Sequence, residues 1–217
     1  MSVHAAGSSS GKRVRICAAE LGIAAFEEPS AESGESGRVE RPSSPGFAGC
    51  DRVRLPDGSY ALWESGASVW YLASKNRERG LVPSDPRAEA DTLAWLFFCA
   101  CEIDPYYTAL VVERVIKPGR GEAPDPCIVA EAEKSLAASL PRLERQLHGK
   151  DYVTGTFGLA DIALGCTLEL SSSAAVDLSA FPNVGRWLAR LEARESWRKS
   201  APPVGIEKES SSRLRGA

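Results

Sequence analysis

The chain is poor in several residues that mark large protein classes. Its 217 residues include only six cysteines, at 17, 50, 99, 101, 127 and 166, and no Cys-x-x-Cys. That density is far below a disulfide scaffold, and the spacing offers no structural zinc site. Scattered thiols suit a reducing compartment. Histidine is rarer still: His4 and His148 are the only two. An imidazole base therefore has two candidates, both peripheral, and no metal is expected. Nor is there an excess of positive charge. Lys and Arg number 26 against 29 Asp and Glu, a net charge of −3. A nucleic-acid partner would call for a basic patch, so none is expected. The stretch MSVHAAGSSSGKRVR has no apolar core, so no secretory signal is expected. The longest apolar run, Leu93 to Cys101, is too short to span a bilayer. These absences suggest a cytoplasmic protein with no membrane partner.

What remains is ordinary for a globule: 43% hydrophobic and 25% charged residues. The length fits one large domain or two small ones. Residues 2–6 suggest a short strand. Gly7-Ser8-Ser9-Ser10-Gly11 follows, rich in helix-capping residues. From Lys12 to Leu21, Val14, Cys17, Ala18 and Leu21 recur at helical spacing, and Gly22 stands where a helix end favours a left-handed residue. A second strand is expected near Ala24–Phe26. Residues 29–50 are polar and rich in Ser, Gly, Glu and Pro, with no apolar period, and read as irregular.

Strands at 51–55 and 59–63 around Pro56-Asp57-Gly58 predict a hairpin, and a helix should run from Ser65 to about Asn76. Leu81–Pro86 reads as a linker. Asp85-Pro86 and Asp125-Pro126 are each a cap followed by an N1 proline. The first should open a long aromatic helix to about Lys117, kinked at Asp104-Pro105. The second should open a helix ending at Gly149. Further helices are expected over Leu159–Ala175 and Asn183–Arg194, with a frayed tail after Pro202. The chain thus splits into an α/β part over 1–80, an all-α part over 86–200 and a flexible tail over 201–217.

Three segments carry a resemblance: LPDGSYALWESGAS (55–68), TFGLADIALG (156–165) and VDLSAFPNVGRWLARLEARESWRK (176–199). In order and spacing they are similar to the glutathione S-transferase family, of the cytosolic serine type. The resemblance implies a thioredoxin-like N-terminal domain and an all-helical C-terminal domain. It implies glutathione as co-substrate, conjugation to a small electrophile or peroxide reduction as the activity, and a homodimer. A non-catalytic interaction module of the same fold is the alternative.

Each segment also has a reading from its residues. Glu64-Ser65 follows a strand and opens a helix. A serine hydroxyl and free backbone N–H groups at a helix start suit an anion, and an adjacent carboxylate suits an ammonium. Together they match an amino-acid zwitterion, and the resemblance assigns that pair to the γ-glutamyl end of glutathione. The plain alternative is a capping serine beside a solvated acid. Gly158 and Asp161 resemble the family's capping box, with glycine where the family has Ser or Thr; this motif is structural.

The resemblance places the hydroxyl that activates the glutathione sulfur on Ser8, with Ser9 and Ser10 as rivals. A free thiol titrates near 8.5, and lowering it by ~2 units needs roughly 2.7 kcal/mol of differential stabilisation. A charge-assisted hydrogen bond and a helix end can supply that. GSSSG is also readable as a flexible linker. GSSSGK matches a phosphate loop poorly, with three residues between its glycines instead of four.

Two departures stand out. Asp51 occupies the position of the family's cis-proline beside the glutathione cysteinyl group. A non-proline cis bond costs roughly 3–4 kcal/mol, so Asp51 is expected to be trans. Its carboxylate would raise the pKa of a nearby thiol. Residues 29–50 replace the helix that normally contacts the glycyl end. Among the aromatics Trp95, Phe97, Phe98, Tyr106 and Tyr107, the last two are the better candidates for a co-substrate pocket, because a kink opens space. The alternative for all five is core. Cys99 and Cys101 diverge on a helix.

Overall fold

The computed structural model describes residues 2–6, 9–28, 52–54 and 61–200. Ser8, Asp51, the 29–50 stretch, the Pro56-Asp57-Gly58 turn and the tail from 201 lie outside them. Strands β1 (Ser2–Ala6) and β2 (Ala24–Glu28) pair in parallel, Ser2 opposite Ala24 and Ala6 opposite Glu28. A parallel pair needs a crossover, and helix α1 (Ser9–Leu21) supplies it. Strands β3 (Arg52–Arg54) and β4 (Ala61–Trp63) form the expected antiparallel hairpin, Val53 opposite Leu62. β3 lies beside β1.

Helix α1 begins at Ser9, earlier than the Lys12 start expected from apolar spacing, so Ser9 and Ser10 are helical. Its end follows the sequence reading. Gly22 has φ +71°, its N–H donates to the Ala19 carbonyl, and Ile23 N–H returns to Ala18. Every residue from Gly11 to Ala18 is buried, Lys12, Arg13 and Arg15 included. Helix α1 is therefore enclosed, packed on α2 (Ser65–Lys75) and on helices of the second half.

The connector after α2 is not a loose linker. Leu81 and Val82 are each 3% exposed. The Leu81 carbonyl accepts from Leu159 N–H at 3.4 Å. Helix α3 (Pro86–Phe98) starts as expected, with the Asp85 carboxylate accepting from Ala88 N–H at 2.9 Å. The kink expected at Pro105 takes a different form. A π-helical turn, Cys99–Ile103, precedes α4 (Asp104–Val111), and a second, Val112–Ile116, precedes α5 (Lys117–Gly119). Proline lacks an N–H and its ring crowds the preceding turn; a π turn widens the helix there and lets it continue. The whole run Pro86–Gly119 has the length and composition to cross a membrane. Here it packs against α6 and α7.

Helix α6 (Pro126–Gln146) begins with the Asp125 carboxylate accepting from Cys127 N–H at 2.8 Å. It contains Pro141. Helix α7 (Leu159–Leu168) is shorter than the sequence suggests; α8 (Ser171–Ala174) follows, and Ala175 takes φ +51°. All ten residues of α7 are buried, as expected of a helix apolar all round. Helix α9 (Pro182–Glu192) and α10 (Glu195–Lys199) close over it. Gly165 permits that closure: a Cβ there would stand 2.5 Å from Leu191 Cδ1 and 2.9 Å from Trp197.

Candidate functional site

The start of α2 is built from Glu64 and Ser65. Glu64 is exposed and sits at φ +70°, ψ 116°. A non-glycine residue there is strained by roughly 1–3 kcal/mol, and such strain concentrates where structure serves function. Among the described residues no side chain caps the first turn of α2. Ser65 is 7% exposed and is the first helical residue. The free N–H groups of this turn, with the Ser65 hydroxyl, can receive a carboxylate, and Glu64 can hold an ammonium beside it.

Ser65 is tied to the rest of the molecule through Arg13. Arg13 Nη1 donates to Ser65 Oγ at 3.4 Å. Its Nη2 donates to Asp104 Oδ1 at 2.5 Å, to Thr167 Oγ1, and to the Cys99 sulfur at 3.9 Å. Thr167 Oγ1 in turn donates to Asp104 Oδ1. Burial opposes the guanidinium's charge, yet the Cys99 sulfur and the Asp104 carboxylate together hold its pKa above the ordinary arginine value. One buried cation thus joins α1, α2, the first π turn, α4 and α7. Ser9 lies about one turn before Arg13, roughly 6 Å along the axis. Ser9 and Ser10, at the start of α1, are half-buried. A second buried pair fixes α1 further: Lys12 Nζ meets Glu169 Oε2 at 2.7 Å, and Trp197 Nε1 donates to the same oxygen at 3.2 Å.

The sequence reading did not single out Arg13, Asp104 or Thr167. The one available signal was a cation on the apolar side of α1, four residues before Cys17. Ser8 and Asp51 lie outside the described residues. Of the two tyrosines, Tyr107 is corrected. It is fully buried, its hydroxyl is 2.8 Å from Ser171 Oγ, and burial pushes the phenol up to about 12 against that hydrogen bond. A group sealed in the core cannot line a surface pocket. Tyr106 is half-buried and packs on the core. Trp95 and Phe98 meet edge to face at 5.0 Å, with the Arg142 guanidinium 5.8 and 5.3 Å from their ring centres. Burial raises the thiol pKa values of Cys17, Cys99 and Cys166, Cys99 to about 12, so none supplies a ready thiolate.

The second helix start, at α7, is closed upon itself. Asp161 Oδ2 accepts from Gly158 N–H at 3.0 Å, while Oδ1 accepts from Val153 N–H at 2.9 Å and Trp187 Nε1 at 2.8 Å. Only the Asp161 half of a capping box exists, because glycine has no side chain to return the bond. A Cβ at 158 would lie 3.1 Å from the Leu81 carbonyl oxygen, so a side chain there needs the connector to give by a few tenths of an ångström.

An enclosed α1 after a first strand, an uncapped α2 after a hairpin, and a buried-core helix capped by Asp161 define a two-part fold that known proteins share. The family model for the glutathione S-transferase C-terminal domain matches residues 128–190. A glutathione S-transferase of Hyoscyamus muticus is 32% identical over 149 residues, 66% of this chain and 70% of that protein. The ternary complex of BphK, a bacterial GST, superposes with a TM-score of 0.78 at 22% identity, covering 92% of this chain and 97% of that one. A Pseudomonas fluorescens glutathione transferase family member, solved with two glutathione bound, gives 0.75 at 24% identity, covering 92% and 91%. The chain belongs to the glutathione S-transferase family and is a glutathione S-transferase-like enzyme. Its fold class is the one the sequence implied, a thioredoxin-like N-terminal part and an all-helical C-terminal part.

Proposed function

We propose that this chain binds glutathione at the start of α2 and uses its thiolate against a small electrophile or a peroxide. The observation that carries the reading is the uncapped first turn of α2, with a buried Ser65 and a strained, exposed Glu64. The γ-glutamyl carboxylate takes the Ser65 hydroxyl and the free N–H groups, and its ammonium takes Glu64. The thiol lies toward the start of α1. There Ser8, or its rivals Ser9 and Ser10, donates a hydrogen bond to the sulfur, and the helix end adds a favourable field. The thiol proton passes to solvent. In conjugation, the thiolate sulfur bonds to the electrophilic carbon and the leaving group departs with the bonding pair. In peroxide reduction, the thiolate sulfur bonds to one peroxide oxygen, the O–O bond breaks and the alkoxide leaves; a second glutathione thiolate then attacks the sulfur of the resulting sulfenic acid, expels hydroxide and closes the disulfide.

Asp51 belongs with the glutathione-contacting positions in this reading, and Tyr106 with the co-substrate side. The relative solved with two glutathione bound supports glutathione as the co-substrate. Residues 1–80 form the glutathione domain and 86–200 the helical domain. The protein is cytoplasmic, acts in detoxification and pairs as a homodimer. Sedimentation at micromolar concentration should give twice the chain mass.

Retention on immobilised glutathione, with a chromogenic electrophile assay on wild type and Ser8→Ala, tests the activity. Retention with turnover that collapses in Ser8→Ala is the expected result. Folded protein that neither binds nor turns over would leave a non-catalytic interaction module of the same fold.

A further inference from the structure

Two charged side chains stand at helix ends that their own helices do not favour. Lys12 is the fourth residue of α1, close to the positive end of that helix, and Glu169 closes α7 at its negative end. Neither helix corrects this locally: α1 has no acid in its first turn and α7 no base in its last. The two side chains offset each other instead. Lys12 Nζ donates to Glu169 Oε2 at 2.7 Å, with the lysine 6% exposed. Trp197 Nε1, from α10, donates to the same oxygen at 3.2 Å.

The pair is a poor device for stability. Burial pushes the Glu169 carboxyl up, against the Lys12 hydrogen bond. Glu169 Oε1 is buried with no hydrogen-bond partner among the described residues. Desolvating two charges and orphaning one oxygen offsets what their attraction supplies, and an apolar pair of similar volume is often as stable or more so. An ion pair does fix one geometry. Nζ, Oε2 and Nε1 must meet at hydrogen-bond distance, whereas apolar side chains slide past each other by tenths of an ångström at little cost. Lys12 follows the half-buried Ser9 and Ser10 within the first turn of α1. Its anchor therefore sets where the start of α1 sits on α7 and α10.

We propose that Lys12 and Glu169, locked by Trp197, are positioning residues for thiol activation. They act through α1 and not by contact with glutathione: they hold the serine hydroxyl at its start in line with the sulfur. The proposal rests on the reading of the α1 start as the place where the glutathione thiolate forms.

The main variant, made in the full-length protein, is Lys12→Met with Glu169→Leu, which removes both charges together. Ultraviolet absorbance of the thiolate follows the titration of bound glutathione, and kcat/KM for a chromogenic electrophile is measured across pH. The bound thiol should titrate about one unit higher than in wild type. Then kcat/KM falls about tenfold at about pH 6, where the thiolate is the minor species, and converges on wild type at about pH 9. Glutathione Kd at about pH 6 should change less than about threefold, because the start of α2 is untouched. Urea unfolding should give a midpoint no lower than that of wild type.

The pH shift decides, whatever the midpoint. An unchanged titration, or a loss of activity by the same factor at every pH, would make the pair merely structural and overturn the proposal while the glutathione site stands. If wild type does not bind glutathione, or binds it without forming a thiolate, the reading beneath fails and the proposal falls with it. Should the double substitution not fold, Trp197→Phe decides. It keeps an aromatic ring in the packing and removes the indole donor. Its kcat/KM should fall about threefold at about pH 6 and recover at about pH 9, the scale of one hydrogen bond; an unchanged profile overturns the proposal.

Discussion

Two helix starts in this molecule meet the same physical problem in opposite ways. Each has backbone N–H groups with no partner in their own helix. At α7 the chain satisfies them itself. Asp161 is fully buried, takes three donors, and lies under a connector whose carbonyl presses on Gly158. At α2 the described residues leave them open: none of their side chains caps the turn, Glu64 is exposed at φ +70°, and Ser65 is held by a cation from behind. The first arrangement lowers the energy of the folded chain. The second leaves donors and strain unrelieved, as expected where a ligand completes the structure. The difference separates a helix end closed upon itself from one open to a ligand better than either residue pair does in the sequence.

The comparison breaks most visibly at Asp161. Asp161→Ala orphans two backbone N–H groups and the Trp187 indole N–H in the core, and should cost about 3–5 kcal/mol. Urea unfolding measures it; a loss below about 1 kcal/mol would show the cap to be dispensable. Whatever fraction stays folded should bind glutathione with unchanged Kd.

Next in size is the pH response. Burial pushes Asp161 up to about 6, against the three hydrogen bonds that favour its charge. The folded state then binds the proton more tightly than the unfolded chain does. This group's stabilising contribution is complete below about pH 4 and is lost as pH rises through about 6. Between those limits the change is about 3 kcal/mol at most. Asp161→Asn should flatten that part of the stability profile, measured by urea midpoints from pH 4 to 7. Parallel profiles for the two proteins would contradict the assignment.

Packing over α7 comes third. Gly165→Ala places a methyl into Leu191 and Trp197 and should cost about 1–3 kcal/mol through forced shifts of both. Tm by calorimetry is the readout; an unchanged Tm would show that Leu191 and Trp197 yield without cost.

The smallest effect has the opposite sign. Glu64→Gly should relax part of the backbone strain and raise stability by about 1 kcal/mol, because glycine tolerates positive φ. The same change should weaken glutathione by about tenfold through loss of the ammonium partner. A variant that gains stability and keeps its affinity would show that the strain at Glu64 serves no ligand.

Much of this was legible locally. Asp85-Pro86 and Asp125-Pro126 each start a helix through contacts within four residues. Gly22 ends α1 for the same kind of reason. The pairing of β3 with β4 was expected from two short strand segments flanking Pro56-Asp57-Gly58. Other features depended on neighbours far along the chain. The α1 start at Ser9 preceded the apolar spacing. The π turns before α4 and α5 are accommodations made by packing. Tyr107 looked like a pocket residue beside Pro105 until Ser171 was placed against its hydroxyl.

The residue order by itself indicated most of the helices and strands, the two proline-led helix starts, the apolar faces and the family resemblance. Those depend on capping, periodicity and short motifs, all of them interactions across a few residues. Only the tertiary structure decided that Gly158 sits close under the Leu81 carbonyl, that Tyr107 is core, and that Arg13 gathers Ser65, Cys99, Asp104 and Thr167 around one guanidinium. Those five residues span more than 150 positions. A buried charge finds its partners through space, and spacing along the chain carries no record of that.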